Sequence, residues 1–162
     1  MTVAEQKTNV MRVLEQKKIP YTPHEYPHGD TAVDGVTVAA LTGLDPARVF
    51  KTLVARGASK KIYVFVVPVA LELELKKAAK AVGEKSIAMI HVSEITPLTG
   101  YVRGGCSPVG MKKQYPTVFD ESAEALETIA VSAGKIGSQV ELSPQALCAL
   151  VRGKFADIAA EV

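Results

Sequence analysis

Lys51 is the residue whose surroundings best suit chemistry. It follows Val49 and Phe50 and opens the β-prone run Lys51 to Arg56, so its aliphatic stem can pack on apolar neighbours while the ammonium reaches a carbonyl or phosphate. The same spacing equally describes an ordinary strand-edge surface lysine. A second segment, Gly104-Gly105-Cys106-Ser107-Pro108, has side chains small enough for main-chain N–H groups to approach a ligand, with Pro108 stiffening its exit. Such a segment forms an oxyanion-stabilising or ligand-anchoring nest, or it is a wide turn. Taken alone it supports both.

The other reactive side chains narrow the chemistry. His24, His28 and His91 are the three histidines, and none sits in a nucleophile–base signature of a serine hydrolase. Cys106 and Cys148 are the two cysteines; they lack paired spacing and histidine neighbours, so neither a disulfide framework nor a zinc knuckle is indicated. Cys106 has no base beside it in sequence, and a small residue suits the loop. Cys148 lies on the apolar stripe Leu147-Leu150-Val151 and is read as core packing. The sequence has no phosphate-binding loop ending in Lys and Ser or Thr, and no dinucleotide fingerprint. No cofactor and no metal is therefore expected.

These groups must be carried by a fold, and 162 residues with 48% hydrophobic content make one compact domain, 1–162, with a sizeable core. A net charge of +2 is too small to argue nucleic-acid binding from total charge; RNA affinity would have to come from local patches. The charged amino terminus, Met1 to Lys18, does not read as a secretion signal. The longest apolar run, Ile62 to Leu71, falls short of the roughly 20 residues that cross a bilayer. The expectation is a cytoplasmic protein with no membrane partner.

Val10, Val13 and Leu14 recur at helical spacing until Pro20, predicting a helix near 3 to 18. Tyr21 to Tyr26 reads as an edge or irregular strand because of Pro23, and His28 to Gly35 as loop. Val36 to Leu41 predicts a short helix ending near Gly43, and Asp45-Pro46 caps a further turn. Lys51 to Arg56 and Lys61 to Pro68 flank Gly57 to Lys60 as a hairpin. The second of these strands is apolar on both alternating sets and so belongs at the centre of a sheet.

Leu75, Ala78, Ala79 and Val82 predict a helix closed by Gly83. Its lysines, Lys76, Lys77 and Lys80, are read as a solvated face, with an RNA-backbone patch as the alternative. A strand follows at Ile87 to Ile90, then a short turn or helix over Ser93 to Thr99 that Pro97 should make irregular. Gly100 to Gly110, with four glycines and one proline, is an extended loop. Strands are predicted at Thr117 to Phe119, Thr128 to Ser132 and Val140 to Leu142, with a turn over Gly134 to Gly137. Ser143-Pro144 then caps a last helix through Arg152, closed by Gly153. Hairpins with interspersed helices indicate an α+β domain around a mixed, largely antiparallel sheet.

Three separated motifs, Val49-Phe50-Lys51-Thr52-Leu53, Gly100 through Gly110, and Val131-Ser132-Ala133-Gly134-Lys135, resemble the YbaK/EbsC family of free-standing aminoacyl-tRNA deacylases, relatives of the editing domain of bacterial prolyl-tRNA synthetases. The resemblance runs nearly end to end, to Lys154-Phe155-Ala156-Asp157-Ile158. It implies the family fold, with a barrel-like sheet, and release of misattached cysteine from tRNA(Pro), and also from tRNA(Cys), before it reaches the ribosome. In YbaK-like members the substrate's own thiol attacks its ester carbonyl and leaves as a cyclic thiolactone, so that orientation supplies much of the barrier reduction. Lys51 matches the family's essential lysine, and Tyr26 matches a tyrosine of its pocket. Gly104, Gly105, Cys106, Ser107 and Pro108 would supply main-chain contacts to the amino acid, and Ser132 a hydrogen bond. The implied partners are an aminoacyl-tRNA acceptor end and prolyl-tRNA synthetase in a transient complex; oligomeric state is left open.

Three positions depart from the YbaK pattern. Near Asp34 YbaK has an aromatic pocket residue, near Gln139 it has an aspartate, and at Cys106 it has an aliphatic residue. Asp34 and Gln139 are therefore substrate-binding candidates whose identity points to altered specificity, and Cys106 raises the question of an enzyme thiol as nucleophile. Two other readings stand beside the cysteine-specific one: a deacylase for alanyl-tRNA(Pro) or another ester that uses water, and a non-catalytic module that binds tRNA or a synthetase.

Overall fold

The computed structural model describes residues 7–29 and 31–161. Among the described residues, five α-helices, two short 3-10 helices and ten strands build two facing sheets and a two-stranded ribbon. The larger sheet runs β5 (Ile87–Met89), β2 (Phe50–Gly57), β3 (Ile62–Pro68), β6 (Thr117–Asp120), β9 (Lys154–Ala156). The smaller runs β1 (Tyr21–Glu25), β8 (Ser138–Leu142), β7 (Ile129–Ser132). The ribbon pairs β4 (Glu72–Leu73) with β10 (Ala159–Ala160). The expected α+β class with mixed, mainly antiparallel pairing is present. Among the described residues, parallel pairs occur only at β3–β6 and β6–β9, besides one parallel bridge from Val49 to Ala130.

The barrel-like expectation is corrected: among the described residues no sheet closes on itself. The larger sheet ends at β5 and β9 and the smaller at β1 and β7. Two separate sheets, bridged where the chain enters β2, leave an open seam instead of a continuous wall.

The β2–β3 hairpin forms as its turn residues require. Lys60 takes φ +77 and donates to the Gly57 carbonyl at 2.9 Å, while the Gly57 N–H donates to the Lys61 carbonyl at 2.9 Å. β3 lies between β2 and β6, and Tyr63 through Val67 are buried on both faces, as their unbroken apolar pattern predicts. One face, with Val64, Val66 and Phe50, packs on Phe119, on α1 (Asn9–Gln16) and on α5 (Pro144–Leu150). The other, with Tyr63, Phe65 and Val67, packs on α3 (Leu75–Val82) and Ile158.

α1 buries Val10, Met11 and Leu14 behind a Thr8 cap; residues 3–6 of the expected helix lie outside the described residues. α3 ends at Gly83 with φ +73, as its sequence requires. α4 (Val92–Thr99) corrects the expectation at Pro97, because the segment is a regular helix. Proline there removes the bond to the Ser93 carbonyl, but both residues are exposed and water can take that acceptor. α5 ends earlier than expected, with Arg152 at φ +56. Gly153 is needed for a different reason: a Cβ there would stand 2.9 Å from the Thr117 carbonyl oxygen.

Candidate active site

β5 pairs with β2 only along Ala55, Arg56 and Gly57. The earlier part of β2 therefore has an open edge, and a cavity of about 370 Å³ lies along it. Phe50 through Val54 form one wall. The Ile90 N–H donates to the Val54 carbonyl at 3.3 Å. Because main-chain groups alternate direction along a strand, Thr52, two residues back, turns its own N–H and C=O to that same open edge.

Met89, Ile90, Val92 and Ile95 form an apolar second wall. It is tied to β2 by Arg56, whose Nη2 donates to Glu94 Oε1 at 2.7 Å. That guanidinium hydrogen bond also holds the Glu94 carboxyl below the usual carboxylate range. Val33, Gly35 and Val38, from the start of α2 (Gly35–Thr42), close another side.

The smaller sheet contributes its polar face. Ser132 lies opposite Gln139, and Gln139 opposite His24, so these side chains share a face while Val131 and Val140 enter the core on the other. Ser132, Gln139 and Tyr26 line the cavity. Ser132 Oγ accepts from the Gly134 N–H at 3.1 Å, leaving its own proton free to donate.

The glycine-rich loop is held by close approaches of three chain segments. A Cβ on Gly104 would stand 2.6 Å from Ala32 Cβ, one on Gly105 would stand 2.9 Å from Lys135 Cα, and one on Gly137 would meet the His28 ring at 2.0 Å. Glycine is thus the residue that lets the strap that carries His28 and Ala32, the loop and the β7–β8 turn interlock. Gly104 and Cys106 reach the cavity with Lys51.

Of the residues singled out in the sequence, Lys51, Tyr26, Gly104, Cys106, Ser132 and Gln139 are brought together around one cavity. Four are not on its lining. Gly105 and Ser107 are buried behind it; the Gly105 N–H is used on the Val102 carbonyl at 2.9 Å, and Ser107 Oγ accepts from the Val109 N–H at 3.3 Å. Pro108 is buried and has no N–H to give. Asp34 caps α2, accepting from the Thr37 N–H at 3.0 Å and its hydroxyl at 2.7 Å. That side-chain hydrogen bond lowers its pKa.

Sequence reasoning missed Thr52 and Arg103, which both line the cavity. Thr52 Oγ1 and Gln139 Oε1 are buried without a hydrogen-bond partner. Leaving such an atom unpaired costs about 1–3 kcal/mol, so two of them on different walls of one cavity mark where a polar ligand belongs.

The electrostatics have one sign. Lys51 and Arg103 line the cavity, and no carboxylate or imidazole does so among the described residues. Burial pushes the Cys106 thiol up to about 11, with a Thr99 hydrogen bond opposing it. Cys106 is therefore a neutral thiol at physiological pH, which is a poor nucleophile. The site can hold a polar ligand and offset developing negative charge, but its lining offers no strong base.

Known proteins have chains related to this one. A protein of Enterococcus faecalis, named as a candidate Cys-tRNA(Pro)/Cys-tRNA(Cys) deacylase, EbsC, is 47% identical over 154 residues, covering 95% of this chain and 94% of that one. A solved structure described as a candidate trans-editing enzyme for prolyl tRNA synthetase is 24% identical, with a TM-score of 0.79 over 96% of this chain and 99% of that one. The hypothetical protein APE2540 shares the fold at 21% identity, with a TM-score of 0.83 over 94% of this chain and 100% of that one. The aminoacyl-tRNA editing domain family matches residues 29–150, which include every residue named above on the cavity wall except Tyr26, and the chain belongs to that family.

Proposed function

We propose that this protein is a free-standing aminoacyl-tRNA deacylase that releases cysteine from tRNA(Pro), and also from tRNA(Cys), with residues 1–162 acting as one unit. The observation that carries the reading is the cavity itself: Lys51 and two orphaned oxygens, on Thr52 and Gln139, face a space of about 370 Å³ whose lining contains no strong base. A cavity near the lower end of the ~300–1,000 Å³ range of small-molecule sites suits a terminal nucleoside bearing a short acyl group. Enrichment in apolar lining on the α4 side suits a small side chain such as cysteine.

The missing base favours a reaction that needs none. The substrate thiol attacks the ester carbonyl, forming a C–S bond. The C–O bond to the ribose then breaks, the ribose oxygen takes up the proton lost by the thiol, and cysteine departs as its thiolactone. Lys51 offsets the negative charge that develops on the carbonyl oxygen. Thr52, Gln139, Ser132 and Tyr26 fix the acyl group and ribose so that sulfur and carbonyl carbon stay within reach. Gly104 and Cys106 shape the wall from the loop side, with Cys106 as a neutral contact. Asp34, Gly105, Ser107 and Pro108 act one layer back, by holding α2 and the loop in place.

The acceptor end of tRNA is the partner, and prolyl-tRNA synthetase is the natural source of the mischarged substrate, in a cytoplasmic setting. Among the described residues no helix is long and apolar enough to cross a membrane.

Deacylation of Cys-tRNA(Pro) by wild type and Lys51→Ala tests the reading. Loss of one charge-stabilising group should lower kcat/KM by roughly 100-fold or more while RNA binding is kept. Ser-tRNA(Pro) should be cleaved far more slowly than the cysteine ester. Equal rates for the two would replace the thiol by water as attacking group, and no hydrolysis of any aminoacyl-tRNA would leave a binding module.

A further inference from the structure

Arg103 lines the same cavity as Lys51, yet it is exposed to solvent, so it stands at the mouth. Its backbone setting is well defined. The Gly105 N–H donates to the Val102 carbonyl at 2.9 Å, Gly104 has φ +85, and Arg103 is not among the residues with positive φ. That combination is a type II turn with Arg103 and glycine at its two central positions. The turn is pinned from both sides, since Gly104 abuts Ala32 and Gly105 abuts Lys135. Arg103 is thus an exposed cation presented from a fixed turn, and among the described residues no carboxylate pairs with it.

The size of the cavity decides what meets this cation. About 370 Å³ takes a nucleoside and a small acyl group but not a second nucleotide, so the remainder of an RNA chain must leave through the mouth. The first group to emerge is the phosphodiester on the 5′ side of the terminal nucleoside. A guanidinium offers planar, paired donors that match phosphate oxygens, and no acidic side chain on the lining opposes an anion there.

We infer that Arg103 forms a phosphate-binding subsite at the cavity mouth, holding the phosphodiester next to the terminal nucleoside of the RNA while Lys51 faces the ester within. The inference rests on the cavity being an aminoacyl-ester site. Arg103 acts as a positioning residue, so its removal should weaken capture of the RNA and leave the chemical step intact.

The test is steady-state deacylation of one cysteinyl-tRNA(Pro) by wild type, Arg103→Ala and Arg103→Lys across a series of salt concentrations. Arg103→Ala should raise KM roughly 10-fold with kcat nearly unchanged. It should also flatten the dependence of log kcat/KM on log salt by about 0.7, the slope carried by one single-strand phosphate contact. Arg103→Lys should restore the wild-type salt slope, because the charge is kept, while recovering only part of the KM. An alanine variant with the wild-type salt slope, or one that loses kcat at unchanged KM, overturns the subsite while the deacylase reading survives. A wild-type protein that releases nothing from any aminoacyl-tRNA overturns that reading and the subsite with it.

Discussion

Lys51 and Cys106 share a cavity, and their environments give them different tasks. Lys51 keeps part of its surface in solvent and can present a charge. Burial raises Cys106 from its ordinary value of 9.0 to about 11, which leaves about one thiolate in 10,000 at pH 7. Cys106→Ser should therefore retain deacylase activity within a few-fold, with an unchanged rate profile between pH 6 and 8; a loss of 100-fold or more in this variant would make Cys106 a participant in the chemistry. The same shift has a consequence for stability. A group whose pKa is raised on folding stabilises the protein fully below its unfolded value, and that contribution is lost as pH climbs through the folded value. For Cys106 the window is about pH 9 to 11. Urea unfolding across that window should show a shallower alkaline decline for Cys106→Ala than for wild type.

At the scale of elements, the site depends on two features that are not themselves chemical. The first is the short reach of β5, which leaves one edge at the start of β2 without a strand partner while β3 pairs the other, and so opens that edge to a ligand. The second is the interlock of strap, loop and β7–β8 turn at glycines. Gly104→Ala would force a Cβ to 2.6 Å from Ala32 Cβ and 3.0 Å from Ala32 Cα, at φ +85. Neither the backbone angle nor the neighbour accommodates this without movement, so a loss of about 1–3 kcal/mol is expected. It should appear as a lower urea midpoint at unchanged m-value, together with a raised KM as the wall next to Arg103 and Cys106 shifts. An unaltered midpoint would mean that strap and loop do not pack this closely.

At the scale of the molecule, the last residues close the fold. β9 extends the larger sheet beside β6, and β10 pairs with β4. Ile158 is fully buried in the core beneath α3. The N–H groups of Ile158 and Ala159 donate to Asp120 Oδ1 at 3.2 and 3.1 Å, and Asp120 is only 5% exposed. A chain ending at Gly153 would leave that carboxylate short of partners, open the β6 edge and expose the core face of β3, each a costly change. Such a truncation should lose the cooperative thermal transition followed by circular dichroism. A retained sharp transition would show that the carboxy-terminal strands are dispensable.

Much of this architecture follows from local sequence. The apolar run of β3 demands a two-faced burial, Gly57 to Lys60 suits a tight turn, and Asp34, Asp45 and Ser143 each cap the helical turn that follows them. The motif around Lys51 and the glycine-rich loop were open to bland readings on residue type alone, and it was their resemblance to an editing family that joined them; both segments reach one cavity. What the sequence left undecided was set by long-range pairing. β4, β9 and β10 have two or three residues each, too few for a periodic signal, and they exist because partners distant in the chain supply their hydrogen bonds. Whether the sheet closes depends on pairing between edges, which no local pattern encodes. Asp34 was expected at the cavity and Arg103 was not singled out: helix capping draws the first off the lining, and a turn that abuts Ala32 and Lys135 places the second on it. The motifs of the chain pointed to a family, and tertiary packing decided which side chains line the cavity, because that depends on contacts between segments far apart in sequence.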